Sequence, residues 1–184
     1  MIRALLVLFI GAVLGGIVHL GTILYLPRTA TNDAYARLTP LLPVNSMKLL
    51  PQPTPESAVL PLSDPAFATA ACRYDLSGGP LKLLAPVSQA YTAVSFYTRY
   101  GVAYYAINDR AAGRRVIELD LMTAAQHAEV PEDEEVTAAD RLIVESPTTT
   151  GLILVRALSP EPSLMPMAQR AATAAKCQPS EKAK

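Results

Sequence analysis

Tyrosine side chains crowd into one stretch of the chain and are the first candidates for chemistry. Five of the eight tyrosines lie between residues 91 and 105, in segments rich in aromatic and β-branched residues that predict strands. In a strand, alternate side chains share a face, which puts Tyr97 and Arg99 on the same face. Phenol rings beside one guanidinium, joined by Tyr105 from the next strand, would suit a small acidic or aromatic ligand. The other interpretation is cross-strand aromatic packing with the phenol groups at the rim.

A second candidate is the turn Asn108-Asp109-Arg110, which follows the tyrosine-rich strands. It could present a carboxylate and a guanidinium at a strand end, with Arg114 and Arg115 close by in sequence. However, a tight turn needs Asn and Asp in any case, because both tolerate left-handed backbone and bond their own main chain. The structural interpretation is favoured. The alternative interpretation is a ligand-binding role for Asn108, Asp109 and Arg110.

Recognisable catalytic signatures are absent from the sequence. His127 is the one histidine outside the N-terminal apolar segment, and no known catalytic motif surrounds it. The acidic run Glu132-Asp133-Glu134-Glu135 lacks the alternating ligand spacing and the central glycine of a calcium loop. We therefore expect no catalytic residue, metal or cofactor, and a non-enzymatic domain that binds a partner protein or a small ligand. The alternative is a hydrolase-type enzyme that uses His127 or the Asp109/Arg110 turn.

The N-terminal segment Ala4–Leu26 predicts a membrane anchor. It carries no charged residue, and a helix of its length reaches about 34 Å, against about 30 Å for the bilayer core. The alternative is a secretory signal peptide, but the apolar stretch is longer than those peptides carry, and the nearest Ala-x-Ala pattern, at Ala34–Ala36, lies well beyond it. We expect an uncleaved single span, with residues 1–3 in the cytoplasm and the rest of the chain outside it.

Small and polar residues mark one face of this predicted helix. Gly11 and Gly15 form a Gly-x-x-x-Gly pattern, and His19 continues the same face. Small residues let two membrane helices approach closely, and a histidine at membrane depth is a candidate for a functional contact. The pattern is compatible with a homo-oligomer formed through the helix. The alternative is that glycine is simply common in membrane helices.

The chain has two cysteines, Cys72 and Cys177. In an oxidising compartment an isolated pair is most simply interpreted as one disulfide, and such a disulfide would agree with a domain outside the cytoplasm. Two unrelated buried thiols are the alternative.

Composition limits the class of the remaining chain. The 16 Lys+Arg are matched by 16 Asp+Glu, so no basic excess points to nucleic acid, and we expect none as a partner. The 16 prolines and the absence of Trp indicate turns and extended segments rather than a helical bundle. The order of the predicted elements favours an α+β fold: a mainly antiparallel, sandwich-like β domain flanked by short helices.

The expected boundaries follow from proline content and hydrophobic pattern. A proline-rich linker or strap is expected over residues 27–63, the domain over 64–177 and a disordered tail over 178–184. Asp64 before Pro65 is a typical helix start, which predicts a helix over Pro65–Cys72.

Two further elements are expected in the C-terminal part of the chain. The segment Pro147–Gly151 lies between two apolar runs and predicts a hairpin turn. The alanine-rich segment Met165–Cys177 predicts a closing helix.

Several short motifs resemble a bacterial family, DUF1254, that is catalogued as a domain of unknown function. They are Asp64–Phe67, Cys72–Leu76, the Tyr91–Tyr97 strand, Tyr105–Arg110 and the late Cys177. The resemblance implies a protein of the bacterial cell envelope, here in the inner membrane with a periplasmic domain. It implies no activity and carries over no site residue. In larger members a second uncharacterised domain follows this one, which implies a sister envelope protein as the partner of the small members.

Overall fold

The computed structural model describes residues 1–113, 115–130 and 142–180. It divides into two compact units, Met1–Asp33 and Ala34–Lys184. In the first unit, α1 (Ile2–Thr29) is an uninterrupted helix with no buried residue. Its length and composition suffice to cross a membrane, with a mean hydropathy of 2.3 over an 18-residue window, and a signal sequence near the N-terminus meets the same two criteria. The apolar helix expected over Ala4–Leu26 is therefore present.

The second unit is built mainly of strands. Its elements in chain order are α2 (Ala34–Leu38), β1 (Met47–Leu49), β2 (Phe67–Asp75), β3 (Leu81–Pro86), β4 (Thr92–Thr98), β5 (Ala103–Asn108), α3 (Asp109–Ala112), β6 (Val116–Thr123), α4 (Ala124–His127), β7 (Leu142–Ser146), β8 (Thr150–Leu158), a 3₁₀ turn (Pro162–Leu164), α5 (Met165–Thr173) and β9 (Lys176–Pro179). The acidic run at 132–135, Arg114 and the last residues of the expected tail, 181–184, lie outside the described residues.

The strands form two sheets that share one core. A five-stranded sheet has the order β1-β2-β8-β4-β5, and a four-stranded sheet has the order β7-β6-β3-β9. All pairings between the described strands are antiparallel except that of β6 with β7. Side chains from both sheets and from α5 meet in one buried cluster, as two stacked sheets require. The α+β prediction with a mainly antiparallel β domain is confirmed.

The helix predicted over Pro65–Cys72 is wrong, because β2 occupies this segment. Asp64 does begin a turn, and its carboxylate accepts a hydrogen bond from the Ala66 amide at 2.8 Å. The chain then extends and directs every second side chain, from Ala68 to Tyr74, into the core. Alanine favours helices and carries little hydrophobic signal, so the two-residue period is hard to see in the sequence, and burial decides the outcome.

The hairpin predicted at Pro147–Gly151 is also wrong. β7 pairs with β6 in the smaller sheet, whereas β8 pairs with β2 and β4 in the larger one. The turn residues mark a reversal of the chain correctly, but they do not say which strand comes to lie beside β8. The connection therefore crosses from one sheet to the other.

The closing helix predicted over Met165–Cys177 is correct only in its first part. α5 ends at Thr173, and the chain then extends as β9, in which Cys177 lies opposite Leu83 of β3. Cys177 forms a disulfide with Cys72 of β2, so the bond connects the two sheets. Cys72 is 0% and Cys177 4% exposed. The pairing predicted from two isolated cysteines is confirmed.

The outer face of the five-stranded sheet is covered by the chain that precedes β2. Leu38 and Leu42, from and just after α2, pack with Leu50 onto Ala71 of β2 and Leu152 of β8. The proline-rich residues 50–65, here named the strap, close this cover. The Gln52 amide donates a hydrogen bond of 2.5 Å to the Pro65 carbonyl, which ties the start of the strap to its end. Val59 and Leu60 of the strap pack against the same cluster, so the strap lies against the sheet.

Candidate functional site

A β-bulge in β5 determines which way the tyrosines face. Tyr105 lies opposite Phe96 of β4, but Tyr97 lies opposite Ala103, so Tyr104 is the extra residue of the bulge. Side chains normally alternate along a strand, and the bulge lets two consecutive tyrosines pack against the same core. Both rings contact Phe96, with centroids 6.1 Å away for Tyr104 and 5.8 Å away for Tyr105.

The hydroxyl of Tyr104 belongs to a buried chain of hydrogen bonds. It lies 3.1 Å from the hydroxyl of Tyr74, which lies 2.9 Å from Ser146 Oγ. Ser146 Oγ donates to the Thr148 carbonyl at 2.6 Å. A carbonyl can only accept, so each hydroxyl in turn donates towards it, from Tyr104 through Tyr74 to Ser146. The Tyr74 hydroxyl, which has one proton, shares it with the Tyr97 carbonyl, an acceptor at 3.3 Å. This arrangement joins β2, β5 and β7 across the core.

Burial raises the pKa of Tyr104 well above that of a free tyrosine, and its donated hydrogen bond to Tyr74 acts in the same direction. The folded protein thus holds this proton more tightly than the unfolded chain. The resulting stabilisation is complete below about pH 10, the tyrosine value in the unfolded chain, and is lost as the pH rises above it. We expect urea unfolding at pH 11 to show a smaller loss of stability, relative to pH 8, for Tyr104→Phe than for the parent chain. Tyr100→Phe, which removes an exposed hydroxyl, is the matched control, and an equal loss in all three proteins would contradict the prediction.

Tyr97 and Arg99 lie on the other side of the sheet from Tyr105. Tyr97 packs in the cluster beneath the strap, with Leu152 as its cross-strand neighbour. Arg99 follows β4 directly, and its guanidinium lies over the ring of Tyr35 in α2, 4.2 Å from the centroid. Such a stack is a cation–π contact. The three residues proposed to line one pocket are therefore divided between the two faces of the sheet.

The turn at Asn108-Asp109-Arg110 is the start of the short helix α3. Asn108 is its N-cap and accepts a hydrogen bond of 2.9 Å from the Ala111 amide. Its backbone is extended rather than left-handed, and the left-handed position falls on Gly113. Asp109 and Arg110 occupy the first turn, where the carboxylate of Asp109 favours the positive end of the helix. One carboxylate oxygen of Asp109 is buried without a hydrogen-bond partner among the described residues.

His127 lies at the end of α4 and pairs with Glu145 of β7. Its Nδ1 is 2.6 Å from Glu145 Oε1, with side-chain exposures of 32% and 53%. This is a surface pair, and such pairs contribute about 0–1 kcal/mol of stability. The described residues contain no group of three or more His, Cys, Asp or Glu that could hold a metal ion.

Among the cavities lined by described residues are two small ones. One lies under the strap, between Leu60 and Phe67, and the other between Ser88 and Met167 of α5. Each has a volume of about 30 Å³. A volume of that size accommodates water, whereas small-molecule sites usually measure about 300–1,000 Å³.

β5 leaves one edge of the larger sheet without a strand partner among the described strands. It is six residues long, contains no proline or charged side chain, and exposes Ala103 and Ala106. The other edge of this sheet, β1, has three residues, and the edge strand β9 of the smaller sheet has four and includes Pro179. Proline, charge and short length are the usual protections of a sheet edge. β5 has none of these three features, and among the described residues its bulge is the protection that the strand itself provides.

On α1, Gly11 and Gly15 are open. A Cβ placed on either would meet nothing within 4 Å, and His19 lies one turn further along the same face. The expected small-residue face is therefore available for packing.

Neither Tyr35 nor Tyr74 was predicted from the sequence as a site residue. Tyr74 could have been predicted as a core residue, because it continues the two-residue period of β2 through Ala70 and Cys72. Tyr35 meets Arg99 only through folding, and no local pattern connects residues so far apart in sequence.

Comparisons with known proteins give a solved structure of similar fold and a matching family. The structure is similar to that of the VPA0106 protein from Vibrio parahaemolyticus, with a TM-score of 0.57 at 12% identity, over 82% of this chain and 38% of that chain. An uncharacterised protein from Burkholderia cenocepacia matches at a TM-score of 0.49 and 14% identity, over 69% of this chain and 34% of that one. This chain thus spans well under half of either relative. No match was found among curated proteins. A family described as "Protein of unknown function (DUF1254)" matches residues 44–179, and the chain therefore belongs to the DUF1254 family.

Proposed function

We propose that this protein is a single-span protein of the bacterial inner membrane whose periplasmic domain binds a sister envelope protein through the outer edge of β5. α1 is the anchor, and contacts through its Gly11, Gly15 and His19 face pair two copies. The domain performs no catalysis. The observation that supports the proposal is the outer edge of β5, with which no described strand pairs.

The physical basis is strand addition. An edge strand offers a row of backbone N–H and C=O groups that an extended segment of another protein can pair with, while alternate side chains supply specificity. Ala103 and Ala106 are exposed and small, so an incoming strand can approach the edge closely.

Two further observations support the envelope location and the partner. A disulfide between buried cysteines is typical of an oxidising compartment, which agrees with a periplasmic domain. The similar fold in Vibrio parahaemolyticus makes up 38% of a longer chain. A partner domain supplied by a separate protein would take the place of the additional part of such a chain.

The test is binding of the full-length chain to the protein that carries the companion domain, coexpressed in the same membrane. We expect Ala106→Lys, which places a charge on the β5 edge, to weaken the association at least tenfold. Ala58→Lys adds the same charge at an exposed strap position and should leave the association unchanged. The affinities of the two variants for the partner are compared by co-purification and by titration in lipid nanodiscs. Equal binding by both variants, each folded as judged by thermal unfolding, would rule out the β5 edge.

A further inference from the structure

One end of the five-stranded sheet is defined by where its strands begin and end. β2 finishes at Asp75, opposite Thr150 at the start of β8, and β4 finishes at Thr98, opposite Gly151. β5 begins just beyond, at Ala103. We call this the Tyr100 end of the sheet, after the residue at the tip of the β4–β5 turn.

The turn at the Tyr100 end is firmly built. The Thr98 amide donates to the Val102 carbonyl at 2.9 Å, and the Gly101 amide donates to the Thr98 carbonyl at 3.0 Å. Gly101 has a φ of 77°, a left-handed conformation that glycine adopts without strain. Thr98 Oγ1 accepts further hydrogen bonds from the amides of Tyr100 and Val102. This hydrogen-bonded turn therefore directs the side chains of Tyr100 and Val102 outward.

Apolar side chains are exposed at this end. Tyr100 is 45% and Val102 56% exposed. Val44, 46% exposed, bridges to Arg73, which is two residues before the end of β2. Arg73, Leu152 and Tyr97 form one row across the sheet, so Val44 and the β4–β5 turn lie at the same end.

The chain also enters the domain at the Tyr100 end. Arg99, next to Tyr100, stacks on Tyr35 in α2. Residues 30–33 alone separate the last residue of α1 from the first residue of α2. So short a segment spans at most about 14 Å when fully extended. An anchor in a bilayer would therefore keep α2, and the turn stacked on it, close to the lipid surface.

From these observations we infer that the Tyr100 end of the domain rests in the interfacial layer of the lipid bilayer, with Tyr100 and Val102 inserted among the headgroups. The inference depends on the proposed anchoring by α1. Tyrosine is favoured at membrane interfaces, because its ring is apolar and its hydroxyl is polar. The exposed cation of Arg37 in α2 is suited to lipid phosphates. A patch of three apolar side chains is much smaller than the 20–30 residues that each partner contributes to a stable protein interface.

The chain contains no Trp, so a single introduced Trp reports on one site. The full-length protein is reconstituted into phosphatidylcholine vesicles with and without brominated acyl chains, which quench Trp in contact with lipid. Tyr100→Trp and Val102→Trp test the inferred contact. Leu62→Trp, at a fully exposed position in the strap near Phe67 and the opposite end of the sheet, is the matched control. Leu14→Trp, in the middle of α1, tests the anchor itself.

We expect strong quenching for Leu14→Trp, clear quenching with a blue-shifted emission for Tyr100→Trp and Val102→Trp, and none for Leu62→Trp. Quenching of Leu14→Trp with Tyr100→Trp no more quenched than Leu62→Trp would overturn the inference and leave the anchor standing. A blue shift at Tyr100→Trp that brominated lipid does not quench would assign the site to a protein surface instead. No quenching of Leu14→Trp would reject the anchor and the inference together.

Discussion

Loss of the disulfide between Cys72 and Cys177 is expected to lower the free energy of unfolding of the domain by about 4–5 kcal/mol. The bond connects residues 105 apart in sequence. In the chain-entropy account, closing a loop of about this length restricts the unfolded state and stabilises the fold by that amount. Both cysteines are buried, so their replacement also leaves small voids. For a domain of this size the loss corresponds to a fall in Tm of roughly 10–20 °C.

The measurement is thermal and urea unfolding of the oxidised protein, the reduced protein and the Cys72→Ala/Cys177→Ala variant. Reductant should change the parent chain and have no effect on the double variant, which controls for other actions of the reductant. Equal stability of the oxidised and reduced proteins would contradict the prediction. Alkylation of the cysteines in intact cells, before and after reduction, tests in which compartment the domain lies. If the cysteines are protected from alkylation until they are reduced, the result supports the periplasmic location.

Substitution Gly151→Ala is expected to destabilise the domain by about 3 kcal/mol or more. Gly151 lies in β8 directly opposite Tyr74 of β2. A Cβ at this position would overlap the Tyr97 carbonyl oxygen and the Tyr74 hydroxyl. The carbonyl belongs to the backbone of the neighbouring strand, and the hydroxyl is held in the buried hydrogen-bond chain. Neither can move without disturbing the sheet or the core, so the cost lies in the range of severe overpacking.

Gly78→Ala is the matched control, because a Cβ there meets nothing within 4 Å and the backbone is not left-handed. It should change stability by no more than about 0.5 kcal/mol. Urea unfolding of both variants gives the comparison. Equal stability of the Gly151→Ala and Gly78→Ala variants would contradict the prediction that β2, β4 and β8 leave no room for a Cβ beside Tyr74.

Elements with a strong local pattern were predictable from the sequence. β4 is rich in aromatic and β-branched residues, and a strand was expected there. β2 was mistaken for a helix because Asp64 before Pro65 is a typical helix start, and because two of its four core positions, Ala68 and Ala70, are alanines. β9 was missed because its extended form depends on pairing with β3 and on the disulfide, and neither leaves a local trace in the sequence.

The candidate site was predictable in composition but not in geometry. Residues Tyr97 and Arg99 were expected on one face, and they do lie on the outer side of the sheet. Tyr105 lies on the inner side, and the bulge at Tyr104 brings a second ring there with it. A bulge depends on the register between two strands, which a single sequence does not specify. The cover formed by α2 likewise depends on contacts between distant residues.

The cover over the outer face also shows that the inherited family segment and the folding unit differ in extent. The family match begins at residue 44, yet the compact unit begins at Ala34, and Leu38 is completely buried in the cluster over Ala71. The residues just after the apolar helix are therefore part of the globular body rather than a spacer. A fragment that begins at residue 44 would therefore lack Leu38 and Leu42, and the apolar face around Ala71 would lose the cover that they provide.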